Sequence, residues 1–333
     1  MWMNSKITKV LWFGVSTLLL LGLVYLADAS LFLEAISKAN LFYLLPALIF
    51  GILPLSIYSF TWYRFLNKMG ENISYFMSLR MFLGGQFLNA ITPIGQFGGE
   101  PFMAYVIKDN TGLEYEEAFS TVLSADLVNS VPVITFLSGG VVYMLFLRGL
   151  NSLLTQFLFA ALLMILLGSS LAYLLWFRSG TIENAILGIL GFLVGILGRG
   201  EKIYEGLENR FEGVEKAFET IGEDPRHLIV TAVVVHLEFI FRVIALYLVL
   251  FSLGVKTDFP PLYFVLAFGS VASFAPTPGG SGVAEAAHSG LISFFLNLSL
   301  ATAAAAAILL RLMIYWPSIV IGYLGLLSLR GGD

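Results

Sequence analysis

Thr92-Pro-Ile-Gly-Gln-Phe-Gly-Gly-Glu100 is answered 185 positions later by Thr277-Pro-Gly-Gly-Ser-Gly-Val-Ala-Glu285. Both nonapeptides read T-P-x-G-x-x-x-x-E, and both are embedded in apolar sequence. The recurrence implies an internal duplication. It also puts helix-breaking Pro and Gly beside a carboxylate, where a membrane helix would otherwise run. Paired interrupted segments in the two halves of a membrane protein point to a transport site.

The rest of the chain sets the membrane context. Of its 333 residues, 58% are hydrophobic and 12% charged, about half the charge of a soluble domain. The apolar residues form long runs, not short alternating strands, which predicts helices and not a barrel. Val10–Ala27, Leu41–Phe60, Leu127–Leu147, Leu153–Phe177, Leu228–Phe251 and Ala303–Leu327 are each near the ~20 residues needed to cross a bilayer. Residues 74–108 and 258–296 enclose the motifs, and 185–198 is a short Gly-rich apolar stretch. The run from Val10 is long for a signal peptide and no small-x-small cleavage site follows it, so it reads as a retained helix. The fold class expected is an all-α polytopic membrane protein, with two inverted repeat units that each carry a broken, re-entrant helical segment.

The 185-residue offset continues without a gap: Gly84 matches Gly269, Pro132 matches Pro317 and Gly140 matches Gly325. The expected organisation is a single transmembrane domain, 1–333. It comprises an N-terminal helix (1–40), repeat unit one (41–147), linking spans and an amphipathic helix (148–225), and repeat unit two (226–333). The amphipathic helix follows from Ile203, Leu207, Phe211, Val214 and Phe218 at three- and four-residue spacing. It reads as a surface connector or as a partner-binding element.

Basic residues cluster at Lys6 and Lys9, at Arg64, Lys68 and Arg80, and between Arg199 and Arg226. The positive-inside rule puts all three groups in the cytoplasm, together with both termini. The first unit then enters from outside and the second from inside. A motif that dips in and returns, plus two full spans, supplies the even number of crossings this requires.

Composition narrows the function. The absence of Cys excludes disulfides, thiolate metal sites and Cys nucleophiles, and three His leave little for a metal. A net charge of −4 without a basic stretch argues against a nucleic-acid partner. No phosphate-binding loop, Ser–His–Asp order or H-E-x-x-H is present, so neither an enzyme nor a cofactor is expected. Gly-rich helix faces such as 185–198 leave room for a homo-oligomer.

The candidate site follows from the motifs. Non-helical backbone at membrane depth survives only when buried in protein or lining a polar cavity. Thr92, Pro93, Gly95, Gly98 and Gly99, with Thr277, Pro278, Gly279, Gly280 and Gly282, are therefore expected at two helix tips offering free N–H groups to an anion. Glu100 and Glu285 begin the following helices, where they favour the dipole and can take a cation or a proton. Simple helix capping is the competing reading. Asp126 and Arg311 correspond at the same offset and are candidates for an ion pair near the repeat axis; Arg311 also suits a phosphate. His288 shares a helix face with Glu285, and Arg80 precedes the first motif, within reach of a headgroup. Glu238 and Arg242 are spaced for an intrahelical pair.

Gly98-Gly-Glu-Pro101 and Pro276-Thr-Pro-Gly-Gly-Ser-Gly-Val-Ala-Glu285 resemble the lysylphosphatidylglycerol synthase transmembrane family, and Arg311 with Tyr315-Trp316 fits its last span. The resemblance covers nearly the whole chain. It implies movement of a phospholipid or polyprenyl-phosphate-type lipid between leaflets. Two departures are visible. No soluble aminoacyl-transferase domain is present, so this chain is not expected to make an aminoacylated lipid. Asp126 stands where many relatives are expected to carry Arg, which breaks the symmetry of a headgroup clamp. A secondary transporter of a small solute or ion is the alternative on the same repeats. A lipid-modifying enzyme is a third class, without a nucleophile–base constellation behind it.

Overall fold

The computed structural model describes residues 21–22, 25, 29–91, 99–147, 152–177, 220–272, 275 and 277–330. All regular structure among them is helical: α1 Ala29–Ser37, α2 Leu41–Lys68, α3 Tyr75–Ile91, α4 Glu100–Asn110, α5 Tyr115–Leu147, α6 Ser152–Phe177, α7 Pro225–Ser252, α8 Phe259–Ala272, α9 Val283–Leu296 and α10 Leu300–Arg330. A short 3₁₀ turn, Pro278–Gly280, lies between α8 and α9. Among the described residues, four helices are long and apolar enough to cross a membrane: Leu41–Lys68, Tyr115–Tyr143, Pro225–Ser252 and Leu300–Leu329. Their large exposed residues, such as Leu45 and Ile49 on α2 or Val320 and Leu324 on α10, form the apolar belt that lipid requires. The run Val10–Ala27 falls largely outside the described residues. So do the stretch 185–198 and most of the expected amphipathic helix.

Local sequence explains where the long helices start. Asn40 caps α2 by accepting from the Phe42 N–H, and Asp224 caps α7 by accepting from the His227 N–H, with Pro225 in the first turn. The helices outrun the apolar stretches read from sequence. α2 continues to Lys68 and α5 begins at Tyr115, with Glu116 and Glu117 in its first turn. Hydropathy marks the part of a helix in the hydrocarbon; capping and the dipole decide where it stops.

The order α2–α3–α4–α5 recurs as α7–α8–α9–α10, with starts that agree to within two residues at the 185 offset. The two copies meet head to tail. Tyr43 packs on Phe251 (4.7 Å between ring centroids), Phe50 on Phe241 (5.8 Å) and Phe65 on His227 (5.9 Å). Rising numbers on α2 therefore meet falling numbers on α7, and these equivalent helices run antiparallel. α3 and α10 are antiparallel too: Gly325 faces Arg80 and Leu83, whereas Tyr315 reaches Ala90. Small residues permit these crossings. A Cβ on Gly51 would overlap the Met313 carbonyl, and one on Gly325 would press into Leu83. Ala303, Ala304, Ala305, Ala306 and Ala307 of α10 are fully buried.

α3 and α4 pack on each other around the first motif, and α8 and α9 around the second. At 1.5 Å per residue the longest of these, α3 with 17 residues, spans about 26 Å, and α8 and α9 with 14 each span about 21 Å. None reaches the ~30 Å of a hydrocarbon core. Each is a pair of packed half-helices, and the second motif joins α8 to α9.

Candidate functional site

The second motif is fully built. Gly279, Gly280 and Gly282 have φ of 56°, 70° and 86°, a region that suits residues without a Cβ. A side chain on Gly279 would also overlap the Tyr315 hydroxyl. These glycines break the chain between α8 and α9 and let α9 start anew at Val283. Glu285, 4% exposed, lies in the first turn of α9. Its Oε2 accepts from the Gly282 N–H at 2.6 Å and its Oε1 from Arg311 Nε at 2.9 Å. Arg311 also donates through Nη2 to the Gly279 carbonyl (2.9 Å) and to Ser281 Oγ (3.2 Å). Its guanidinium sits 3.8 Å from the Tyr315 ring centroid, a cation–π contact. Tyr315 in turn donates to the Ala90 carbonyl at the end of α3 (3.3 Å).

One cation thus ties together the broken loop, the head of α9 and α10, and its aromatic platform reaches the other half of the molecule. Buried ions persist only when paired and hydrogen-bonded, and this pair meets both conditions. Among the described residues these bonds use two of the three guanidinium nitrogens, which leaves the Nη1 amino group for a further acceptor.

Ser281 and Tyr315 thereby join the site. Tyr315 was legible: it lies four residues after Arg311, so the two share a helix face. Thr277 is 3% exposed with an Oγ1 that has no partner among the described residues. His288 Nδ1 contacts the Ala284 carbonyl at 2.7 Å, its ring lies against Gly269 of α8, and its electrostatic neighbours are Arg311, Glu285 and Arg242.

In the first motif Thr92, Pro93, Gly95 and Gly98 lie outside the described residues. Gly99 and Glu100 are in place at the head of α4. Glu100 Oε2 is buried without a partner among the described residues. Asp126, on α5, interacts electrostatically with Glu100 and with Tyr58. Asp126 is exposed on α5, the helix that packs against both α2 and α4. The expected Asp126–Arg311 ion pair is not what forms: Arg311 is engaged by Glu285 of its own unit. The offset pairs equivalent positions, but α4 packs on α5 and α9 on α10, each within its own unit, which brings Glu285 to Arg311 and Glu100 near Asp126.

A third polar group lies between the two motifs. Tyr58 of α2 donates to Glu238 Oε1 at 2.6 Å and accepts from Arg242 Nη2 at 2.8 Å, and Glu238 and Arg242 form an ion pair on α7. The spacing of Glu238 and Arg242 predicts their pairing; the Tyr58 bridge depends on the α2–α7 register, which no local pattern reveals. The side chain of Arg242 is 34% exposed and that of Glu238 is 2% exposed. Asp126 is an electrostatic neighbour of Glu100 and of Tyr58, and Arg242 is one of His288, which in turn neighbours Glu285 and Arg311. Arg80 is on an exposed part of α3, apart from these groups.

A groove of about 410 Å³ lies elsewhere, between Val255–Asp258 and Phe295–Leu298. It is at the far end of α9, roughly 20 Å from the motif, and it has no charged partner set of the kind seen around Arg311.

Residues 10–322 match the family described as the lysylphosphatidylglycerol synthase TM region. The chain is 23% identical to a UPF0104 membrane protein of Pyrococcus horikoshii over 333 residues, which covers 97% of each chain. It is also 23% identical to UPF0104 membrane proteins of Methanothermobacter thermautotrophicus, over 90% of each chain, and of Methanocaldococcus jannaschii, over 98% of this chain and 97% of that one. This chain belongs to the lysylphosphatidylglycerol synthase transmembrane family.

Proposed function

From that membership and the site's geometry, we propose that the protein moves a phosphate-bearing lipid, a phospholipid or a polyprenyl-phosphate-type lipid, between membrane leaflets. It does so as a transporter and not as an enzyme. Residues 41–147 and 226–333 act as two inverted units in the cell membrane, with both termini in the cytoplasm. Arg64 supports this orientation: it donates to Thr231 Oγ1 (2.7 Å) and to the His227 carbonyl (3.2 Å). Two of the basic groups assigned to the cytoplasm are thereby brought to one end of the molecule.

The observation that carries the reading is the Arg311–Glu285 pair at a broken helix tip. A fixed structural pair could stand anywhere in a core. This one sits where free backbone and a helix N-terminus already favour an anion, with Nη1 uncommitted. An incoming phosphate binds Arg311 through Nη1 and competes with Glu285 for Nε. If the headgroup also carries an ammonium, Glu285 takes it, and no charge is left bare at membrane depth. Acyl chains remain in lipid while the two units rock around the site.

A phospholipid with a photoactivatable headgroup tests this. Cross-links at Gly279–Ser281 and near Tyr315, competed by unlabelled lipid, are expected. Cross-links confined to the outer apolar faces of α6 and α10 would contradict the site. Thermal protection by a soluble solute, with none by lipid, would favour the solute transporter.

A further inference from the structure

Aligned at the 185-residue offset, Glu100 takes the place of Glu285 and Asp126 the place of Arg311. The chemistry differs sharply between the units. In unit two both carboxylate oxygens are satisfied and the charge is cancelled. In unit one the arginine's place holds a second carboxylate that interacts with the first. Glu100 Oε2 is buried and without a partner among the described residues. Asn89, at the end of α3, packs on Gly99, and its Oδ1 is buried and unpartnered as well. Three elements, α3, α4 and α5, thus bring the Asn89 amide and the two carboxyls into one region; the backbone N–H groups of Gly99 and Glu100 lie beside the Glu100 carboxyl, yet among the described residues no donor reaches its Oε2.

The side chains facing this region from α2 and α7 give Oε2 no hydrogen bond. Tyr58 faces Asp126 from α2, but its hydroxyl proton is given to Glu238. The Arg242 guanidinium on α7 is held by Tyr58 and Glu238. A carboxylate with a buried oxygen beside a second carboxylate favours holding one proton between the two. A proton on one of them turns an acceptor into a donor and supplies the missing hydrogen bond. The exposure of Asp126 gives that proton a way in.

Resting on the transport reading, we propose that Glu100 and Asp126, with Asn89 beside them, form a proton-binding site that couples lipid movement to the proton gradient. Unit two handles the phosphate and unit one the proton. The step is a carboxylate accepting H⁺ and later returning it; no other bond changes. One proton per lipid sets a ceiling: a gradient of one pH unit supports about a tenfold lipid asymmetry between leaflets.

Infrared difference spectroscopy of the full chain in vesicles, titrated from about pH 5 to about pH 9, reads the protonated carboxyl directly and needs no transport. About one protonated carboxyl per chain is expected at neutral pH. It should be lost in both Glu100→Gln and Asp126→Asn, kept in Glu285→Gln and indifferent to sodium. Thermal melting of each variant confirms folding, and either first-unit variant alone suffices if the other fails to fold. Full ionisation at neutral pH, displacement by sodium, or loss only in Glu285→Gln would overturn the proposal. A protonated pair in a protein that moves no lipid would leave the proton site standing and remove the lipid reading. Leaflet exchange by a chain with both groups ionised would do the reverse.

Discussion

At the residue scale, Arg311 is the most connected side chain of the site, and its loss has two separable effects. Arg311→Met leaves Glu285 buried without its counter-ion, a change that costs about 3–5 kcal/mol. Adding Glu285→Gln removes the stranded charge, so the double variant should melt near wild type. If the pair is only structural, that double variant keeps its activity; the transport account predicts a stable, inactive protein. Gly279 gives a second contrast. Gly279→Ala meets the Tyr315 hydroxyl at a positive φ and should destabilise by about 1–3 kcal/mol. Gly290→Ala on α9 meets nothing within 4 Å and should be neutral or stabilising by up to ~1 kcal/mol. Melting temperatures in detergent measure both.

The residues that matter here were legible in unequal degree. Glu285, Arg311 and the glycines stand out in the sequence, because charge and helix breakers in apolar surroundings are costly. The choice of partner was not legible. Asp126 and Arg311 match in sequence, which invites pairing them, yet α4 packs on α5 and α9 on α10, which brings Glu285 to Arg311 and Glu100 near Asp126. Asn89 and Tyr58 are ordinary polar residues on apolar helices, and only the packing of α3 on α4 and of α2 on α7 gives them a role.

At the scale of elements, the antiparallel contact of α3 with α10 is the claim most open to a direct check. A Cβ on Gly84 would lie 3.3 Å from the Leu326 Cα, so the two positions meet directly where the helices cross. The natural chain has no Cys, so Gly84→Cys with Leu326→Cys adds the only thiols. Oxidation should close a bridge between them, whereas Gly84→Cys with Tyr315→Cys, at the other end of the crossing, should stay open. Equal yields from the two pairs would contradict the helix register. The existence of both half-helix pairs was readable from Pro and Gly inside apolar runs. Their helix ends were not, because hydropathy is silent about capping.

At the scale of the whole molecule, the antiparallel α2–α7 contact puts equivalent turns at opposite ends of the two helices. Asn72, between α2 and α3, and Lys256, between α7 and α8, are both exposed. A membrane-impermeant thiol reagent should label Asn72→Cys from the cytoplasmic side and Lys256→Cys from outside. Labelling of both from one side would rule out inverted units. The gap-free offset made the duplication visible from the motif, while its inversion rested on charge alone until the antiparallel α2–α7 contact supplied geometry.

The central claim is that a lipid headgroup crosses between the two broken tips. Leaflet exchange tests it most directly. The purified protein is placed in liposomes carrying fluorescent phospholipids of several headgroups, and an external reductant bleaches only the outer leaflet. The account predicts exchange in the wild type, no exchange in Glu285→Gln or Arg311→Ala, and impaired exchange in Glu100→Gln. Equal exchange by the wild type and all three variants would contradict it.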